Sequence, residues 1–163
     1  MRFTESTLSI QIGILRHAIA EDHSPTGSDF DRRLTSVGRA QLDTHLDLLL
    51  AWGWAPTAIF HSPYVRTTQT AAAVSARFPG VPCVPAAILA HGDPPDILRF
   101  CVGQDAPLLV GHQPTMGDVV AHLLGSPPGT TPLERAGFAL LDVNRLPTTR
   151  PARPLPFAPP LGA

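Results

Sequence analysis

The chain has 163 residues and a net charge of -1, with 44% hydrophobic residues, twelve arginines and no lysine. That length suits one domain, and the apolar share excludes a disordered chain. No apolar run approaches the ~20 residues that span a bilayer, and no basic footprint offers itself to nucleic acid or an anionic membrane.

The N-terminus has only Arg2 before a mixed stretch, without a secretory cleavage pattern. Cys83 and Cys101 fit a reducing, cytoplasmic setting. Neither is followed six residues later by arginine (Leu89 and Pro107 stand there), so the thiolate phosphate-binding loop is absent. The seven histidines lack metal-ligand spacing, and neither a metal nor a cofactor is expected.

In chain order, Leu8–Leu15 alternates Leu8, Ile10, Ile12 and Ile14 and predicts a strand running into Arg16-His17. A polar, turn-rich stretch follows, from Glu21 to Arg33. Thr35 is placed to cap a helix reaching about Trp52, stopped by Gly53, with Leu42, Leu46 and Leu49 facing the core. Thr57–Phe60 predicts a short strand before His61-Ser62-Pro63. Ser62 as cap and Pro63 at the first helical position predict a helix ending near Phe78-Pro79-Gly80.

An extended run is expected over Pro82–Leu89, then a helix over Pro95–Val102 capped by Asp93. Leu108–Gly111 predicts a buried strand, and His112-Gln113-Pro114 opens a helix to Leu124, closed by Gly125. Phe138–Val143 is the last strand. From Pro147 onward, six of 17 residues are proline, including Pro151-Ala152-Arg153-Pro154. We expect a domain over 1–146, then a tail over 147–163 that is an extended strap or a polyproline ligand. Strands alternating with helices imply a three-layer α/β/α domain with a mostly parallel central sheet.

Three polar clusters each follow the carboxyl end of a predicted strand: Arg16-His17, Ser62-Pro63-Tyr64-Val65-Arg66 and Gly111-His112. Ligands of open α/β sheets bind at that edge. Singly, each has a plain structural reading: a turn histidine, a solvated arginine, a helix-capping histidine. Arg66, however, falls in a first helical turn, where its charge opposes the helix dipole and favours a bound anion.

Together with Leu15-Arg16-His17-Ala18, the segment Arg33-Leu34-Thr35-Ser36-Val37-Gly38, Ser62 through Ala71 and Val110 through Pro114 resemble the histidine phosphatase superfamily, with its phosphoglycerate mutase-like fold. Their order and spacing, with Leu89-Ala90-His91-Gly92-Asp93-Pro94, resemble its short SixA-type branch of phosphohistidine phosphatases. The resemblance covers about Ile10 to Val143. It implies His17 as the nucleophile, with Arg16, Arg66 and His112 binding the phosphoryl oxygens and Arg33 joining them on the substrate. Such transfer needs positioning and charge more than covalent ingenuity.

Two departures stand out. Ala18 replaces the family's usual glycine, and no carboxylate precedes Asp93 where larger members keep a leaving-group acid. Glu21, Asp93 or His91 are the candidate stand-ins. A missing acid costs an alkyl ester about 10²–10⁴-fold, whereas the imidazole of a phosphohistidine can carry its own proton. A phosphorylated signalling protein is therefore the expected substrate and partner. A phosphatase of a small metabolite or nucleotide, and a non-catalytic phosphate-binding module, are the alternatives.

Overall fold

The computed structural model describes residues 9–144, 146 and 151–155. Leu8 and most of the proline-rich stretch (147–150 and 156–163) lie outside the described residues.

A six-stranded sheet in the order β3-β2-β4-β1-β5-β6 forms the middle layer. Its strands are β1 (Ile10–Arg16), β2 (Ala58–His61), β3 (Cys83–Pro85), β4 (Pro107–Gly111), β5 (Phe138–Val143) and β6 (Arg153–Pro154). The first four run parallel, while β5 pairs antiparallel with β1 and β6 antiparallel with β5. Helices α1 (Ser36–Trp52) and α2 (Val65–Arg77) cover one face. Helices α3 (Ile88–His91), α4 (Pro94–Leu98) and α5 (Thr115–Leu124) cover the other.

The alternation along each strand divides the core. In β4, Leu108 and Val110 join α1 and α2, whereas Leu109 joins α5. In β1, Ile12 and Ile14 face α5, and Leu15 faces α1. Both sheet faces are apolar, as a strand covered on both sides requires. This is the three-layer, mostly parallel architecture expected from the sequence.

Helix α1 matches its signals. The Thr35 hydroxyl accepts from the Gly38 N–H at 2.9 Å, and Gly53 ends the helix at φ 88°. Gly38 is there for space: a Cβ on it would lie 2.1 Å from the Ile19 carbonyl oxygen.

Several boundaries differ from expectation, four of them for a clear physical reason. Strand β1 takes in Arg16, because its ladder with β4 continues to the Arg16–Gly111 pair. Helix α2 begins at Val65, with no side-chain cap at Tyr64, so Ser62 and Pro63 belong to the preceding loop. The extended run shrinks to Cys83–Pro85, since Pro85 ends this edge strand and α3 then turns Leu89 and Ala90 inward. The third helix starts one residue early: Pro94 and Pro95 sit where no intrahelical N–H is needed, and the chain tightens to a 3₁₀ turn over Arg99–Cys101.

The part of the proline-rich stretch that is described lies against the domain. The Ala152 N–H donates to the Leu123 carbonyl at 2.7 Å and the Leu155 N–H to the Leu140 carbonyl at 2.9 Å.

Candidate active site

Strands β2, β4 and β1 are adjacent in the sheet, so the loops leaving their carboxyl ends are neighbours in space. That adjacency brings together residues distant in sequence. His17 follows β1, Ser62 follows β2 and His112 follows β4. The rings of His17 and His112 lie 5.4 Å apart, edge to face. Tyr64 packs against His112 at 4.8 Å, and the Arg66 guanidinium sits 4.8 Å over the Tyr64 ring. All three candidates are nearly closed from solvent, with His17 and His112 at 7% exposure and Arg66 at 6%.

His17 is oriented by its own backbone. Its Nδ1–H donates to the Ala18 carbonyl at 2.7 Å, which leaves the lone pair on Nε2. The His17 N–H bonds Gly111 and its carbonyl accepts from Ala136, which takes φ 58° to do so. Thr70, fully buried on α2, accepts from the Ala18 N–H at 3.3 Å. Burial, followed by the charges of Arg66, Arg16 and Arg32, pushes the ring down to about 4. It is therefore neutral at neutral pH, with its Nε2 lone pair free.

His112 is held through Nε2, which pairs with the Ser62 hydroxyl at 2.7 Å. Burial and the Arg66 charge push it down to about 3. A Ser62 hydroxyl that donates to Nε2 leaves the proton on Nδ1, a buried nitrogen that has no protein partner. Arg16 and Arg66 each hold a buried Nε in the same condition. Among the described residues six buried side-chain atoms lack a partner, and three of them belong to these three residues. Buried donors without partners are rare because each costs ~1–3 kcal/mol, so these three residues are the candidate anion site.

Arg16 is anchored by Nη1 donating to the Leu133 carbonyl at 2.8 Å. Desolvation and the nearby Arg135 charge lower its basicity, partly offset by Glu134. Arg66 donates from Nη1 to the Asp29 carbonyl at 2.7 Å and from Nη2 to the Asp29 carboxylate at 3.0 Å.

Arg33 is not brought into this group. Its side chain is exposed, and its backbone pairs with Glu21. The neighbour Arg32, bonded to the Glu21 carbonyl and to Asp29, is the arginine whose charge reaches His17. Of the stand-in acids, Glu21 accepts from the Arg33 N–H at 3.0 Å, and Asp93 makes no capping bond at α4. His91 reaches the site's edge, its Nε2 lying 3.3 Å from the Tyr64 hydroxyl.

Sequence reasoning missed Ser62, Thr70, Asp29 and Arg32. The first carried a competing signal, since Ser before Pro reads as a helix cap. Asp29 meets Arg66 across 37 positions, for which no local pattern exists. Among the described residues no three His, Cys, Asp or Glu side chains gather where they could hold a metal ion. Among them, too, no helix is long and apolar enough to cross a membrane.

Comparison with known proteins agrees with this geometry. Residues 12–90 match the family model of the histidine phosphatase superfamily, branch 1. Over that stretch the chain is similar to the histidine phosphatase superfamily. It resembles the Agrobacterium tumefaciens protein assigned as the phosphohistidine phosphatase SixA, with 26% identity, a TM-score of 0.77, and 90% of this chain and 96% of that one covered. A protein histidine phosphatase SixA complexed with tungstate is 27% identical, with a TM-score of 0.67 over 82% of this chain and 87% of that one. A mycobacterial glucosyl-3-phosphoglycerate phosphatase shares the fold at 18% identity and a TM-score of 0.66, over 90% of this chain and 97% of its own. No curated protein sequence matches the chain. The chain is a phosphatase of the SixA-like type.

Proposed function

We propose that this phosphatase removes the phosphoryl group from phosphohistidine on a signalling protein, by way of a phosphorylated His17. The observation that carries the reading is the state of His17: neutral, buried and fixed through Nδ1, with its ring against His112, whose Nδ1 has no partner. Nε2 attacks phosphorus as the bond to the departing nitrogen breaks, and the departing imidazole retains a proton. Arg16, Arg66 and His112 Nδ1–H receive the equatorial oxygens, where negative charge is spread in the transition state. Water then attacks the phosphoryl-His17 bond, releasing inorganic phosphate and the neutral ring.

The branch likeness supports the substrate class, and so does the acid that is lacking. Asp93 and Glu21 are engaged elsewhere or unplaced, which leaves His91 at the site's edge as the remaining candidate donor to an alkoxide, while an imidazole needs none. The two free cysteines fit a cytoplasmic setting.

The test is kcat/KM on a phosphohistidine protein, an aryl phosphate and a sugar phosphate. We expect the first two to exceed the third by about 10² or more, the lower range of general-acid catalysis. Equal rates across the panel would overturn the substrate assignment.

A further inference from the structure

Asp29 lies at the mouth of the site and has no part in the steps above. It stands on a 3₁₀ turn over Asp29–Asp31, where the Ser28 hydroxyl accepts from the Phe30 N–H. One carboxylate oxygen takes Arg32 Nη1 at 2.7 Å and the other takes Arg66 Nη2 at 3.0 Å. The side chain is nonetheless 59% exposed, so the carboxylate grips the outer edge of the Arg66 fork while facing solvent. Arg66 is left with its buried Nε for a phosphoryl oxygen.

The hydrogen bonds of Arg32, then Arg66, hold this carboxyl below its usual range, so Asp29 is an anion at neutral pH. Its charge reaches His112. Beside it runs an aromatic rim. Phe30, 43% exposed, tilts onto Tyr64 at 4.9 Å, and Tyr64 contacts both His112 and His91.

An anion at the entrance of a phosphate site works against phosphate capture, so its presence needs a compensating use. The phosphoryl oxygens meet the arginines and His112 on the floor. What meets Asp29, Phe30 and Tyr64 is the group to which phosphorus is attached.

We propose that Asp29, with the Phe30–Tyr64 rim, forms a leaving-group subsite that favours a planar ring of neutral or positive charge and disfavours groups carrying further anions. The proposal rests on the reading of the floor as a phosphoryl site. It names the feature that would admit a protonated phosphohistidine ring and turn away sugar bisphosphates and nucleotides.

The size of the effect follows from Coulomb's law. One unit of charge on the ligand, about 6 Å from Asp29 at an effective dielectric between 40 and 80, changes affinity by about 3- to 10-fold. Added salt must shrink it, because the carboxylate is exposed.

Binding of three non-hydrolysable probes isolates this from turnover: phenylphosphonate, its 4-carboxy form and its 4-aminomethyl form. Each is titrated by calorimetry into wild type and Asp29→Asn, with thermal melting to verify that both are folded. In wild type at low salt the aminomethyl probe should bind about 3- to 10-fold tighter than phenylphosphonate, and the carboxy probe weaker by a similar factor. Asp29→Asn should narrow both gaps, as should 0.5 M salt. Phe30→Ala should weaken phenylphosphonate relative to methylphosphonate.

A uniform shift of all three probes in Asp29→Asn would make Asp29 a support for Arg66 alone and overturn the proposal. So would a flat order in wild type. Failure of phenylphosphonate to bind either protein would instead bring down the phosphoryl-site reading, and the proposal with it.

Discussion

The two site histidines bear on stability, and His17 makes the effect measurable. In the unfolded chain its ring titrates near the ordinary 6.5 of an imidazole, while in the folded protein it is pushed down to about 4. A depressed folded value has a definite sign. Above pH 6.5 both states hold the ring neutral and its contribution is fully present. As pH falls toward 4 the unfolded chain takes up a proton that the folded site refuses, so stability is lost.

Each such proton is worth about 1.4 kcal/mol per pH unit, or about 3 kcal/mol across the window. That is a large part of the ~5–15 kcal/mol by which domains are stable. His17→Asn keeps a polar, uncharged side chain and removes the proton. Urea unfolding of both proteins at pH 7, 6, 5 and 4.5 gives the comparison, in which all other titrating groups cancel to first order. Wild type should lose stability faster than the variant, by about 1 kcal/mol per pH unit below pH 6. Parallel curves would refute the claim that His17 is held neutral by burial and by Arg66, Arg16 and Arg32.

Two further substitutions probe the supports of the site. Ser62→Ala strips His112 Nε2 of its 2.7 Å partner, so we expect a stability loss of ~1–3 kcal/mol by urea titration together with a fall in kcat of tenfold or more. An unchanged kcat would show that the Ser62 contact does not set the His112 tautomer. Gly38→Ala sets two effects against each other: helix propensity favours alanine by ~1 kcal/mol, but the new Cβ would stand 2.1 Å from the Ile19 oxygen. The clash is with backbone, so net destabilisation of ~1–3 kcal/mol is expected in chemical denaturation, and a stabilised variant would contradict the packing described.

How far the sequence spoke depended on the range of the interaction. Helix α1 was legible end to end, because Thr35, the spacing of Leu42, Leu46 and Leu49, and Gly53 are local signals that tertiary packing reinforced. Strand β5 fell on its expected residues for the same reason. Local signals misled where a side chain had a distant partner. Ser62 reads as a cap, yet its hydroxyl is taken by His112, 50 positions away. The Pro82–Leu89 run reads as extended, but Leu89 is drawn into the core against the sheet and joins a helical turn over Ile88–His91.

At the site, the clusters holding Arg16, His17, Arg66 and His112 stood out because each lies toward the carboxyl end of a predicted strand, while the roles of these residues came from the family resemblance. Arg33 and Arg32 stand side by side, and nothing local told which of them faces inward. The fold decides it, by pairing the Arg33 backbone with Glu21 and setting Arg32 against Asp29.

The central claim is that His17 Nε2 takes the phosphoryl group. Its most direct measurement is rapid acid-free quenching of the enzyme with a ³²P-labelled phosphohistidine protein, followed by peptide mapping of the bound label. The account predicts an acid-labile, alkali-stable phosphoryl group on the peptide holding His17, and no label on His17→Asn under the same conditions. Undiminished turnover by His17→Asn, or label found on another residue of the wild-type protein, would contradict it.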